Sequence, residues 1–182
     1  MPRLVQLLIA GLALDLVVAD TAAAQDANAR AVREAEGYLA PCLDTQTREW
    51  CERYRREFLA DYVKAKAGDY QGQRNVAWFL HRGDSPPIKR NPIQACAWRL
   101  VIVSAGHAQV GPGDTGNVRI ECGRLSEAER AAAQARATQL LREIATSPAR
   151  MPAAARHPSR PPCEANSTAS PLTLEPPPPP RC

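Results

Sequence analysis

The chain has 182 residues, 45% of them hydrophobic but only 5% aromatic, which gives room for one ordinary domain built on few large side chains. Much of the apolar share is alanine, so the expected core rests on Trp50, Tyr54, Phe58, Trp78, Phe79, Leu80 and Trp98. A formal net charge of +4 is mild for this length, and charge alone supports no nucleic-acid partner.

In chain order, residues 1–24 read as an export signal. Arg3 supplies a positive start, Leu4 to Leu14 a short apolar run, and Ala22-Ala23-Ala24 a small-residue site for cleavage before Gln25. The run is too short to span a bilayer, and Asp15 interrupts it. The alternative is an uncleaved anchor or interfacial helix. No stable membrane span is expected after cleavage.

The mature domain is placed at 25–146. Ala31, Ala35, Tyr38 and Leu39 recur at helical spacing in "ANARAVREAEGYLA", a helix that Pro41 should end. Asp44 is the expected N-cap of the next helix, in which Trp50, Tyr54, Phe58 and Tyr62 step by four and Gly68 is the stop. A third helix is expected at 71–82, with Gln73, Val76, Ala77 and Leu80 on one face and Gly83 at its end. "DSPPIKR" reads as a loop, and Asn91-Pro92 as a helix start with a capping side chain followed by Pro at the first turn. Ala95, Trp98, Leu100, Ile102 and Val103 make that helix broadly apolar. Residues 106–123 are glycine-rich and are expected to be irregular. A last helix opens at Ser126 with Glu129 three residues on, a capping box, and turns Ala133, Ala137, Leu140, Leu141 and Ile144 inward. Residues 147–182 hold eleven prolines among 36 residues and few large apolar groups, so a disordered, partly polyproline II tail is expected.

Six cysteines without a Cys-x-x-Cys pair disfavour thioredoxin-like and zinc-ribbon chemistry and point to structural disulfides in an oxidising compartment, periplasmic or secreted. Six cysteines allow 15 pairings. Cys42 can fold back onto the second turn of the helix carrying Cys51, and a Cys96–Cys122 bridge would tie down the long loop. These two pairs are favoured, with Cys163 and Cys182 left open.

The candidate chemistry is sparse. His81, His107 and His157 are not at metal-ligand spacing. A Cys96–His107 nucleophile requires a free thiol, which export argues against. Asp114, Asn117 and Glu121 could offer oxygen ligands to a hard cation, but they do not match an EF-hand loop and read more simply as turn residues. The Arg residues of "CERYRREFLADYVKAK" fall off the aromatic stripe, as on a solvated face. No metal, cofactor or catalytic residue is expected.

Residues 68–105 nevertheless carry a pattern. Val76, Ala77, Leu80 and Gly83, then Ile88, Asn91, Ala95 and Trp98, resemble a Sel-one-like repeat, the short relative of the tetratricopeptide repeat. The first helix of that family reads A-x-x-x-L-G-x-x-Y-x-x-G and the second carries A-x-x-W-Y. Here Ala77 stands where a packing glycine is usual, Phe79/Leu80 for the Tyr, and Arg99 follows the Trp. A lone repeat cannot bury its own faces, so the flanking helices would serve as degenerate repeats or caps. The resemblance implies an all-α array of short antiparallel helix hairpins. It also implies an exported bacterial protein that binds another protein or peptide of the cell envelope through a helical groove. Asn75, Trp78 and His81 are the candidate contacts. The alternative is a small secreted hydrolase or cell-wall enzyme using His107 or the Asp114/Glu121 segment.

Overall fold

The computed structural model describes residues 21–83 and 87–148. These form six α-helices: α1 (residues 21–36), α2 (Arg48–Lys66), α3 (Tyr70–Arg82), α4 (Pro92–Ser104), α5 (Pro112–Gly123) and α6 (Glu127–Thr146). The described residues contain no strand, only an isolated antiparallel bridge between Leu39 and Ile88. The expected export signal lies outside them except for residues 21–24, which are helical and continue into α1. Beyond Ser147 and Pro148, the expected tail also lies outside them, with His157, Cys163 and Cys182.

Sequential helices pack on one another, α2 on α3, α3 on α4 and α4 on α5, as a helix-hairpin array requires, and α6 folds back onto α4 and α2. This all-α arrangement makes α4 the central helix. Ala95, Cys96, Ala97, Trp98, Arg99, Val101 and Ile102 are all buried there, which explains why its apolar residues cover so much of the helix circumference.

Aromatic rings run inward as a chain. Trp50 lies 4.4 Å from Tyr54, Tyr54 and Phe58 meet Phe79 edge-on at 6.1 and 5.7 Å, and Tyr62 meets Trp98 edge-on at 5.7 Å. Phe58, Tyr62 and Trp98 are fully buried, whereas Trp50 and Tyr54 are half-buried. A step of four residues overshoots the 3.6-residue turn, so the stripe winds off the core toward its start.

The helix starts follow their caps. Asp69 accepts the Gly72 N–H at 2.6 Å and opens α3 at Tyr70; Asn91 accepts from the Gln94 N–H at 3.1 Å, with Pro92 in the first turn of α4. Ser126 and Glu129 form the expected capping box of α6. Two glycines are needed for close approach. A Cβ on Gly72 would lie 2.8 Å from the Ala65 N, where α3 crosses α2, and one on Gly83 would lie 2.2 Å from the Arg90 Cα. Gly83 also closes α3 in the left-handed conformation, at φ +47°.

Four expectations need correction. Helix α1 ends at residue 36, not at Pro41: Gly37 breaks it, and Tyr38 and Leu39 enter a turn whose backbone pairs with Lys89 and Pro87. Asp44 does not cap α2. Thr47 holds the N-cap position, and Asp44 accepts from the Gln46 N–H and the Thr47 hydroxyl in the turn before it. Trp78 is not a core residue, being 44% exposed.

The largest correction is α5, because residues 112–123 are helical rather than irregular. Pro112 sits in the first turn, and the Asp114 carboxylate accepts the Gly111 N–H at 3.1 Å. Glycines lower intrinsic propensity, but α5 is bound to its neighbours by a disulfide and a buried ion pair, which override that deficit. Cys122 therefore lies in the last turn of a helix. Cys42 is bonded to Cys51, and Cys96 to Cys122 with Cα atoms 5.1 Å apart, joining α4 to α5.

Candidate functional site

Helix α3 presents its outward face at Asn75, Trp78 and His81, successive three-residue steps that span roughly 120° of the helix. The three do not converge on one pocket. Asn75 turns toward α2, donating to Asp61 Oδ2 at 2.9 Å while accepting from the Gln71 amide at 2.7 Å. His81 turns toward α5, its half-buried Nδ1 lying 3.8 Å from Glu121 Oε2. Trp78 stands between them in solvent, its ring 5.1 Å from Phe79 and 5.3 Å from the Arg82 guanidinium. Trp78 is thus the exposed end of the aromatic chain that leads to the core.

Between α3 and α5 lies a layer of polar contacts that settles the helices in parallel register. Near the starts of both helices, Asp114 accepts from the Tyr70 hydroxyl at 2.7 Å and lies 3.3 Å from the Arg74 Nε. Near their ends, His81 faces Glu121, and Glu121 holds Arg99 of α4 through two hydrogen bonds of 2.9 and 3.1 Å. Arg99 and Glu121 are 4% and 8% exposed. Burial alone would raise the Asp114 carboxyl. The Tyr70 and Gly111 hydrogen bonds and the charges of Arg74 and Arg99 outweigh it and hold Asp114 below the ordinary carboxylate range.

The remaining candidates are engaged elsewhere. The Cys96 sulfur is bonded to Cys122, so no Cys96–His107 dyad exists in this state. His107 Nε2 lies 3.0 Å from the buried Gln73 Oε1, and its ring lies 5.4 Å from Tyr70. Asp114 and Glu121, expected as possible cation ligands, face cationic side chains. Among the described residues no group of three or more His, Cys, Asp or Glu is placed to hold a metal ion.

A second polar cluster sits at the opposite edge. Lys66 of α2 and Arg136 of α6 each pair with both Glu34 of α1 and Glu143 of α6. Gln139 adds a bond of 2.7 Å to Glu143. Burial would raise the Glu143 carboxyl, but Lys66 and Arg136 hold it below its ordinary range. A shallow cleft of about 350 Å³ adjoins this cluster, lined by Ala27, Arg30, Glu34, Lys66, Glu143 and Thr146 among others.

Sequence reasoning gave no site role to Tyr70, Arg74, Arg82 or Ile120, and met Arg99 only as the residue after Trp98 in the repeat pattern. The signal for the α5 partners was present: Asp114, Val118, Glu121 and Cys122 follow an i, i+4, i+7, i+8 spacing. Reading the segment as a loop concealed it.

No protein-family profile, curated protein or solved structure matches the chain. Fold and surface together define a class: an all-helical, disulfide-bonded domain with polar contacts between α3 and α5 and an exposed tryptophan on α3. Among the described residues no helix is long and apolar enough to cross a membrane.

Proposed function

We propose that this chain is an exported interaction scaffold of the cell envelope, a Sel-one-like helical array that binds another protein or peptide through the outward face of α3. The observation that carries this reading is Trp78. A large aromatic side chain 44% open to solvent, with Asn75 and His81 on either side, is the residue type that dominates binding energy at protein interfaces. Its neighbours hold it still: Phe79 packs below it and Arg82 lies against its ring. Such support reduces the ordering cost of binding. The two disulfides fit an oxidising compartment, periplasmic or extracellular. The consecutive packing of α2, α3 and α4 is the arrangement that a helix-hairpin repeat needs.

Crosslinked capture from an envelope extract tests the reading. The wild-type oxidised chain should retain a specific partner that Trp78→Ala loses, with both proteins melting at the same temperature. Deleting residues 147–182 should leave capture intact. Capture that survives Trp78→Ala but disappears with the tail would move the binding element off α3.

A further inference from the structure

The helices of this domain are held in place by different means. Helices α2, α3, α4 and α6 each bury large apolar side chains: Phe58 and Tyr62, Val76 and Leu80, Trp98 and Ile102, Leu140 and Ile144. Helix α5 buries three residues, Asp114, Glu121 and Cys122, which are two acids and a half-cystine. Of its apolar side chains, Val118 is partly buried against the core and Ile120 is 50% exposed. Gly113, Gly116 and Gly123 lower its propensity, and a Cβ on any of them would meet nothing within 4 Å, so no neighbour packs closely there. A helix this short has little stability of its own and depends on what it docks against.

What holds α5 is therefore polar and covalent. The Arg99–Glu121 pair is buried, and such a pair adds little net stability, because both charges regain water when they separate together. Arg74, which faces Asp114, has a side chain 40% exposed, where ion pairs are weak. The Cys96–Cys122 bond acts differently. Cys96 lies one turn before Arg99 on α4, and Glu121 directly precedes Cys122 on α5. With the bond closed, Glu121 stays beside Arg99, and the pair re-forms at high effective concentration whenever it opens. With the bond cut, nothing covalent opposes undocking, and the polar contacts exchange for water.

We infer that α5 is a redox-latched element: the Cys96–Cys122 bond keeps it docked on α4, and a dithiol that reduces this bond releases α5 while α2, α3, α4 and α6 stay packed. One thiolate of the dithiol attacks the Cys122 Sγ, in a residue 7% exposed against 1% for Cys96. A mixed disulfide forms, the Cys96–Cys122 bond breaks, and Cys96 leaves as a thiolate that takes up a proton. The second thiol of the reductant then displaces Cys122. Two electrons and two protons pass to the chain, and the dithiol becomes a disulfide. Release withdraws Glu121 from His81, and Asp114 from Tyr70 and Arg74, so the state of one bond sets the polar surroundings of α3. The latch is a property of the fold and needs no partner; only its consequence for binding rests on the reading of α3 as the recognition face.

The test is hydrogen exchange of the full chain, read by mass spectrometry. In Cys96→Ser/Cys122→Ser the amides of residues 112–123 should exchange within about tenfold of the unstructured rate, while those of α2, α4 and α6 keep about a thousandfold protection or more. Cys42→Ser/Cys51→Ser should leave residues 112–123 as protected as in the oxidised wild type. Dithiothreitol added to that second variant should open them, and reoxidation should restore them. Retained protection of residues 112–123 in Cys96→Ser/Cys122→Ser would overturn the latch, because the polar contacts would then hold α5 unaided. Equal loss across α2, α4, α5 and α6 would overturn it as well, making the bond a staple of the whole domain. None of these outcomes touches the scaffold reading, which fails separately if Trp78→Ala leaves envelope capture intact.

Discussion

The two sides of this domain use carboxylates in opposite ways. On the α1/α2/α6 edge, Glu34 and Glu143 are partly exposed, and each is shared between Lys66 and Arg136, so positive and negative charge balance at the surface. On the α3/α5 side, Asp114 and Glu121 are buried, where they hold Arg74 and Arg99. The first arrangement clamps three helices and creates no local field. The second places its negative charge inside, against the buried Arg99 guanidinium. Where an acid is buried, rather than how many acids there are, sets the character of each face.

This contrast can be broken from its strongest point downward. Glu121→Ala should cost about 3–5 kcal/mol, because it strands the buried Arg99 charge; urea unfolding measures it. A cost below 1 kcal/mol, the ordinary range for surface pairs, would show that the α3/α5 layer is no more structural than the edge. Next, the Cys96→Ser/Cys122→Ser pair removes the closure between α4 and α5 and should cost about 3 kcal/mol, read as a lower melting temperature. Equal melting temperatures would show that the polar layer alone secures α5. Glu143→Gln should cost only about 1 kcal/mol, since its carboxylate is 33% exposed and screened.

The smallest effect is in the acid limb of the stability curve. Glu143 and Asp114 are both held below their ordinary values, so the stability they contribute is full above the unfolded carboxylate range, about pH 4, and is lost as pH falls through the folded values. The melting temperature should therefore be flat above about pH 5 and fall below about pH 4, less steeply in Glu143→Gln. An unchanged slope in that variant would remove the edge cluster from the account of acid stability.

Much of the architecture was legible because local chemistry and tertiary packing agree. Asn91-Pro92, the Ser126/Glu129 box and Gly83 mark helix ends whatever surrounds them, and the favoured pairs Cys42–Cys51 and Cys96–Cys122 are the bonded ones. Helix α5 was not legible as a helix, because Gly113 and Gly116 lower its propensity while the forces that fold it come from Cys96, Arg99 and Tyr70, distant in sequence. That single misreading hid the polar layer as well. With 112–123 taken as a loop, Asp114 and Glu121 look like exposed turn acids rather than buried partners of Arg74 and Arg99. Trp78 itself was visible as a candidate contact, but its exposure depends on which face of α3 meets α2 and α4. Helical spacing narrows that choice without deciding it for a residue flanking the apolar stripe.

The three tryptophans lie at three depths: Trp98 fully buried, Trp50 half-buried and Trp78 open to solvent. Each sees a different polarity, so the chain carries its own set of optical reporters without any label. Unfolding should red-shift the Trp98 contribution, whereas iodide should quench Trp78 first. A bound partner would shield the outermost indole and leave the innermost unchanged, separating occupancy of the surface from changes in the core within one emission spectrum.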